Sequence, residues 1–129
     1  MGVGSGGALG ASAGALGSGS SSAAAKVAEE GISVEILDLR TLIPWDRDAV
    51  LESVARCSKA LVLHEDTKTG GFGAEIAATI AEEAFEQLDA PVRRLAAPDA
   101  PAPFAPTLEK AYIPQVEDVA AAVRDLAAY

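Results

Sequence analysis

The stretch Ala60-Leu61-Val62-Leu63-His64-Glu65, followed after a short loop by Gly70-Gly71-Phe72-Gly73-Ala74-Glu75, decides the fold. The first part is an unbroken apolar run that ends in a polar pair, which is typical of a parallel strand covered on both faces. The second part predicts the start of a helix at about Phe72 or Gly73, extending to Leu88 with one apolar stripe. Such a junction places backbone N–H groups at the carboxyl edge of a sheet, where α/β proteins usually bind ligands.

The sequence on either side alternates between strand and helix patterns. This alternation predicts a three-layer α/β/α sandwich with a mainly parallel sheet. Four prolines between Pro98 and Pro106 predict an extended, unpaired excursion before the last helix. Further strands are predicted at Ile32–Leu39 and Val92–Ala96, and further helices from about Ser20–Ala23 to Gly31, after Asp46 to about Cys57, and over about Val116–Ala128.

The first 22 residues contain only Gly, Ala, Ser, Leu, Val and Met, and they carry no charged side chain. Glycine and serine at this density behave as a flexible linker, because ordering glycine is entropically costly and buries little surface. We therefore expect residues 1–22 to be a disordered segment and residues 23–129 to form the folded domain.

Charge and composition exclude several classes of function. The chain has 129 residues and a net charge of −9, which argues against binding to nucleic acid or to anionic membranes. Its single cysteine, Cys57, excludes an internal disulfide and a cysteine-based metal site. No apolar run reaches the length of a membrane span and the start is unlike a signal peptide, so a cytoplasmic location is expected.

Several stretches, taken together, resemble one family: Gly31–Leu42, Leu63–Glu65, Lys68–Ala77, Leu88–Val92, Pro98–Pro106 and Leu108–Tyr112. The sequence is similar to the C-terminal domain of transketolase, and within that family to the beta subunit of the decarboxylating component of 2-oxo acid dehydrogenases. Pyruvate, branched-chain and acetoin enzymes share the pattern.

The resemblance implies a piece of a larger oxidoreductase. In that family the complete enzyme uses thiamine diphosphate and Mg²⁺, which an N-terminal domain and other subunits hold. The resemblance therefore implies that this chain binds no cofactor alone, lacks decarboxylase activity alone, and works in assembly and docking. The implied partners are an alpha subunit, a second beta subunit and the subunit-binding domain of a dihydrolipoyl acyltransferase. The family also has an apolar first strand where Met1–Gly19 stands, so either Met1–Leu9 fills that position weakly or the sheet has a gap.

His64 and Glu65 are the candidate residues near the active-site edge. His64 is the only histidine, and it ends a buried strand at the edge where α/β proteins bind ligands. A pH-sensitive role is one reading. The alternative is a hydrogen-bonded histidine that fixes the following loop. The two residues cannot easily act together, because neighbouring strand residues point to opposite faces.

The helix start formed by Gly70, Gly71, Phe72, Gly73 and Glu75 has two readings. It could bind a small anion at the helix N-terminus. The glycines could instead permit tight turning and a close backbone approach. The first reading would make the chain a stand-alone binding module for a small anion, which is one alternative to the assembly function. A second alternative is that the chain is a non-functional truncated fragment.

Four residues are candidates for partner binding. Asp89 belongs to an acidic patch with Glu82, Glu83 and Glu86, and the resemblance implies that Asp89 and the region of Tyr129 face a basic acyltransferase domain. Trp45 and Phe104 stand in proline-flanked loops, where large aromatic residues serve either as interface anchors or as caps on the chain's own core. No metal ligands are expected.

Overall fold

The residues that the structure describes form a four-stranded parallel sheet with helices on both faces. The computed structural model describes residues 8–13 and 17–129. Along the chain the elements are β1 (Ala8–Ala13), α1 (Gly17–Ala28), β2 (Val34–Leu39), α2 (Arg47–Cys57), β3 (Ala60–Thr67), α3 (Gly73–Glu83), a 3₁₀ turn (Phe85–Gln87), β4 (Arg93–Ala97), α4 (Pro106–Tyr112) and α5 (Val116–Ala127).

The strand order is β2-β1-β3-β4, and every neighbouring pair is parallel. The connections that leave the neighbouring strands β1 and β3 therefore run in opposite directions, to β2 on one side and to β4 on the other. This reversal makes the crevice between the carboxyl ends of β1 and β3 the topological switch point. The pairing between β3 and β4 is regular from Leu61 to Leu63 and then shifts register before Thr67.

The strand β3 separates two apolar cores. Leu61 and Leu63 are buried with α1 and α5, whereas Ala60 and Val62 are buried with α2 and α3. This alternation is the two-residue period of a strand that is covered on both faces. The three-layer α/β/α sandwich with a parallel sheet is therefore confirmed.

The amino-terminal segment differs from the prediction of disorder over residues 1–22. The strand β1 occupies the central position between β2 and β3, and α1 begins at Gly17, so the predicted boundary at residue 22 falls inside a helix. Backbone pairing with two neighbours does not need large side chains, so a segment rich in glycine and alanine can still form a central strand. The expectation for residues 1–7 and 14–16 lies outside the described residues.

Two helix boundaries follow the predicted chemistry. Asp46 accepts a hydrogen bond from the Ala49 backbone N–H at 3.0 Å and so caps α2. Gly31, at φ +83°, ends the turn after α1, where the Gly31 and Ile32 N–H groups donate to the carbonyls of Ala28 and Val27. This is the Schellman pattern that favours glycine at the position following a helix.

Two other elements differ from the prediction. Residues 98–105 form neither helix nor strand, but a helix that the sequence did not predict, α4, begins at Pro106, where proline suits the first turn. The predicted helix to Leu88 ends at Glu83 and continues as the short 3₁₀ turn. The strand β4 lies at the edge of the sheet, as its two arginines predict.

Candidate functional site

His64 lies at the topological switch point. In the sheet it is level with Ala13, the last residue of β1, and only 4% of its surface is exposed. The next residue, Glu65, is half-buried, which fits the alternation of side chains along a strand. The structure therefore gives the two candidates different environments.

The glycines after β3 leave room for the His64 ring. A Cβ atom at Gly73 would lie 2.3 Å from Cδ2 and from Nε2 of His64, and one at Gly71 would lie 2.7 Å from Cε1. The Gly71 position is also only 2.2 Å from the carbonyl oxygen of Thr67. Gly70 differs, because its surroundings are open and its φ of +74° is what favours glycine. These contacts favour the turn and close-approach reading over an anion cradle.

The imidazole is held by packing. Neither Nδ1 nor Nε2 of His64 has a hydrogen-bond partner within residues 8–13 and 17–129. Burial lowers the pKa of His64 below its ordinary value; the nearby Asp66 carboxylate opposes this shift, and Arg94 adds to it. The alternative of a hydrogen-bonded histidine is therefore not seen among the described residues, in which the ring packs against Gly71 and Gly73.

The loop before the glycines is bound to β4 and to the residues that follow it, which the sequence did not predict. Thr69 donates its backbone N–H to Asp99 Oδ1 at 2.8 Å and its hydroxyl to Asp99 Oδ2 at 2.5 Å. The Thr69 hydroxyl bond, followed by the backbone bond, lowers the pKa of Asp99. Arg94 also donates to the Lys68 carbonyl at 2.8 Å.

Trp45, Phe72 and Glu75 meet at one shallow groove of about 390 Å³, which Ile43 also lines. Trp45 and Phe72 are partly buried against the core between the sheet and α2 and α3, so Trp45 caps that core. Phe104 is fully exposed and contacts neither apolar core. Trp45 is therefore partly used by the chain's own core, whereas the whole side chain of Phe104 is accessible to a partner.

Asp89 and Tyr129 are brought together at a larger groove. It has a volume of about 940 Å³ and is formed by the end of α3, the segment before β4 and the carboxyl terminus. The Asp89 backbone N–H donates to the Ser58 carbonyl at 2.8 Å, which places the groove near the amino-terminal edge of the sheet, opposite His64. Its other lining residues are Ala77, Ala78, Ala81, Phe85, Glu86, Leu88, Ala90, Pro91 and Val92.

A side-chain contact holds Tyr129 in this groove, whereas Glu83 of the acidic patch is paired outside it. Arg93 donates to the Tyr129 hydroxyl at 2.7 Å, and its guanidinium lies 5.6 Å from the centre of the Tyr129 ring. Glu83 is engaged by Arg47 with an Nε–Oε1 distance of 3.0 Å, and this bond lowers the Glu83 pKa. Of the predicted acidic patch, Glu86 and Asp89 line the groove.

Comparison with known proteins places this architecture in one family. The family described as "Transketolase, C-terminal domain" matches residues 12–119, which is most of the chain. The chain belongs to the transketolase C-terminal domain family. The predicted resemblance is thereby confirmed, and the match includes the His64 turn and Asp89.

The curated relatives of this transketolase C-terminal domain are beta subunits of 2-oxo acid dehydrogenases and a related acetoin enzyme. The beta subunit of 2-oxoisovalerate dehydrogenase from Bacillus subtilis is 44% identical over 108 residues, covering 83% of this chain and 33% of that protein. A mitochondrial pyruvate dehydrogenase E1 beta-1 subunit from Arabidopsis thaliana is 45% identical, with 75% and 27% covered. The beta subunit of an acetoin:2,6-dichlorophenolindophenol oxidoreductase from Cupriavidus necator is 45% identical, with 79% and 30% covered. The chain thus spans a third or less of these relatives.

A solved structure has the same fold. It is described as "Split gene transketolase, inactive beta4 tetramer", and its similarity has a TM-score of 0.80 at 25% identity. The match covers 96% of this chain and 39% of that one.

Three further observations concern the described residues of this transketolase C-terminal domain. Within its described residues, no set of three or more His, Cys, Asp and Glu side chains is placed to hold a metal ion. None of the helices in that part of the chain has the length and hydropathy needed to cross a bilayer. Cys57 is buried, and burial raises the pKa of its thiol, which suits a packed residue better than a nucleophile.

Proposed function

We propose that this chain is the C-terminal assembly and docking domain of a 2-oxo acid dehydrogenase beta subunit. In the complete complex, that subunit would take part in the oxidative decarboxylation of a 2-oxo acid. The observation that carries the docking role is the groove that brings Asp89 and Tyr129 together on an apolar floor. The beta-subunit relatives support the class of the parent enzyme.

The groove suits a basic partner that inserts an apolar side chain. Phe85 and Tyr129 are 74% and 60% exposed, and Glu86 and Asp89 lie beside them. Interfaces of this kind bury an apolar centre within a polar rim, and complementary charge accelerates encounter. The chain's net charge of −9 adds to that attraction. The proposed occupant is the subunit-binding domain of a dihydrolipoyl acyltransferase.

Reversing the charge of Asp89 should weaken this docking. We expect Asp89→Lys to raise the dissociation constant by about tenfold or more, because a like charge then faces the basic partner. Most of the change should fall in the association rate, and the wild-type affinity should decrease with salt. Binding kinetics with a purified acyltransferase subunit-binding domain, measured at low and high ionic strength, check both expectations.

The matched control is Glu52→Lys, which makes the same change of charge on an exposed position of α2 outside the groove. It should leave affinity close to that of the wild type. If Asp89→Lys binds as well as the wild type, or if both variants lose affinity equally, the groove is not the docking site.

The proposed assembly partners are an alpha subunit and a second beta subunit. Three large apolar side chains on loops and α4 support an assembly role, because Ile43, Phe104 and Leu108 are 90%, 102% and 60% exposed. Size-exclusion chromatography with candidate alpha and beta subunits tests this role. Co-elution is expected, whereas a chain that elutes alone in every mixture would exclude assembly with those subunits.

Thiamine diphosphate and Mg²⁺ belong, in this proposal, to the complete enzyme. Mg²⁺ in such sites is held by carboxylates together with substrate phosphates, and the described residues present no cluster suited to a metal ion. These residues do not fit a Mg²⁺–diphosphate site, so no step of the reaction is assigned to them.

The chain alone should therefore show no turnover of 2-oxo acids. We expect no product above background when it is incubated with pyruvate or a branched-chain 2-oxo acid, thiamine diphosphate, Mg²⁺ and an artificial electron acceptor. A complete alpha–beta enzyme from a related organism is the positive control. Product formation by the chain alone would contradict the division of labour proposed here.

A further inference from the structure

The environment of His64 is unusual for a buried polar side chain. The ring is 4% exposed, and both of its nitrogens lack a hydrogen-bond partner in the described part of the chain. Buried polar groups are nearly always paired, and the exceptions call for a physical explanation. The missing Cβ atoms of Gly71 and Gly73 create the space that the ring fills.

Each element packed around the ring contributes to its electrostatics. Gly73 is the first residue of α3, so the ring lies at the positive end of that helix, and the first-turn acid Glu75 is exposed. Arg94 of β4 is a second unfavourable neighbour for a positive charge, whereas Asp66 of β3 is the one favourable neighbour. A proton on His64 would therefore be poorly compensated while the turn is closed.

We propose that His64 is a pH-sensitive latch for the turn formed by residues 70–73. The neutral ring fills the space under Gly71 and Gly73 and keeps the turn closed. A protonated ring would be a buried charge without a hydrogen-bond acceptor, so protonation would release the turn and the first turn of α3 to water. The latch concerns the carboxyl edge of the sheet and does not depend on docking at the opposite edge.

The local pairing limits how far this opening spreads. The β3–β4 ladder shifts register between Leu63 and Thr67, so regular pairing with β4 ends before His64, whereas His64 itself stays paired with Ala13 of β1. On the far side, Thr69 is bound to Asp99, whose pKa is lowered, so this carboxylate stays charged when a histidine titrates. The opening should therefore be confined to the glycine turn and the start of α3.

The sign of the pH dependence follows from linkage. Burial holds the pKa of His64 in the closed turn below its ordinary value, whereas in the open turn it returns to about 6.5. The open turn then binds the proton more tightly. Above the open-state pKa, the ratio of closed to open turn is at its maximum. As the pH falls below that value, the ratio decreases by about tenfold per pH unit until the closed-state pKa is reached.

The single histidine makes the test direct, because its imidazole proton and carbon resonances need no assignment by mutation. The experiment uses the 129-residue chain and measures two quantities across the same pH series. One is the imidazole titration by NMR, and the other is the hydrogen-exchange protection factor of backbone amides. We expect an imidazole midpoint below about 6.5 and a loss of protection of about tenfold per pH unit at the amides of Ala74, Glu75 and Ile76, which donate to carbonyls of the turn, with Leu61–Leu63 remaining protected.

The variant His64→Gln provides a polar side chain that does not titrate in this range. In it, the protection factors of the amides of Ala74, Glu75 and Ile76 should no longer depend on pH. The latch is excluded if the wild-type imidazole titrates at or above the midpoint of an exposed histidine, or if turn protection stays constant through the titration. It is also excluded if His64→Gln shows the same pH dependence as the wild type. Should the variant fail to fold, the two wild-type curves decide between these outcomes.

Discussion

Replacing Gly73 with alanine should lower the free energy of unfolding by about 2–3 kcal/mol, because overpacking a dense site forces side chains and backbone to move. The added methyl carbon would lie 2.3 Å from two atoms of the His64 ring and 3.2 Å from Cγ1 of Val62. The ring has little freedom to move away, since it is only 4% exposed. Urea-induced unfolding followed by circular dichroism measures the change.

A double-mutant cycle separates this clash from a general cost of losing glycine. In a His64→Ala background the ring is absent, and the Gly73→Ala methyl group has space to occupy. The cost of Gly73→Ala should then shrink by at least about 1 kcal/mol, which is a typical coupling energy between residues in contact. An equal cost in the two backgrounds would show that the ring does not account for the glycine.

Gly70→Ala is the matched control within the same turn. No atom lies within 4 Å of the position its methyl group would take, but its φ of +74° is strained for any residue with a Cβ atom. We expect a cost of about 1–2 kcal/mol from this backbone strain alone. That cost should be the same with and without the His64 ring.

The parts of the fold that the sequence predicts well are those in which one local pattern dominates. The apolar run from Ala60 to His64 predicts β3 because a parallel strand that is buried on both faces is apolar at successive positions. Asp46 and Gly31 mark helix ends because capping depends on groups a few residues apart. Local chemistry of this kind does not depend on the rest of the molecule.

The parts that the sequence does not predict depend on distant pairings. The groove at Asp89 and Tyr129 exists only after α3, β4 and α5 have packed. Gly73 and His64 are both evident as candidates in the sequence, but only the folded structure shows that one leaves space for the other. The strand β1 is the clearest case, because its glycine- and alanine-rich residues predict flexibility while two neighbouring strands provide its backbone partners.

Placing proline at Ala11 tests this central strand directly. Ala11 is paired with Leu37 of β2 and with Val62 of β3. Proline removes a donor from the ladder and is not tolerated in central strands, so we expect a loss of about 2–3 kcal/mol in the free energy of unfolding. Since β2 joins the sheet through β1, amides of Val34–Leu39 should also lose protection from hydrogen exchange.

The expectation of disorder makes the opposite prediction for the same variant. A proline within a flexible linker changes the unfolding midpoint little, because such a segment has no ladder to disrupt. The control Ala102→Pro, at an exposed position of the proline-rich segment, should behave in that way. If Ala11→Pro is as stable as Ala102→Pro and β2 keeps its protection, β1 does not fill the centre of the sheet. If β2 loses protection while Leu61–Leu63 keep theirs, β1 is the element that attaches this edge strand to the core.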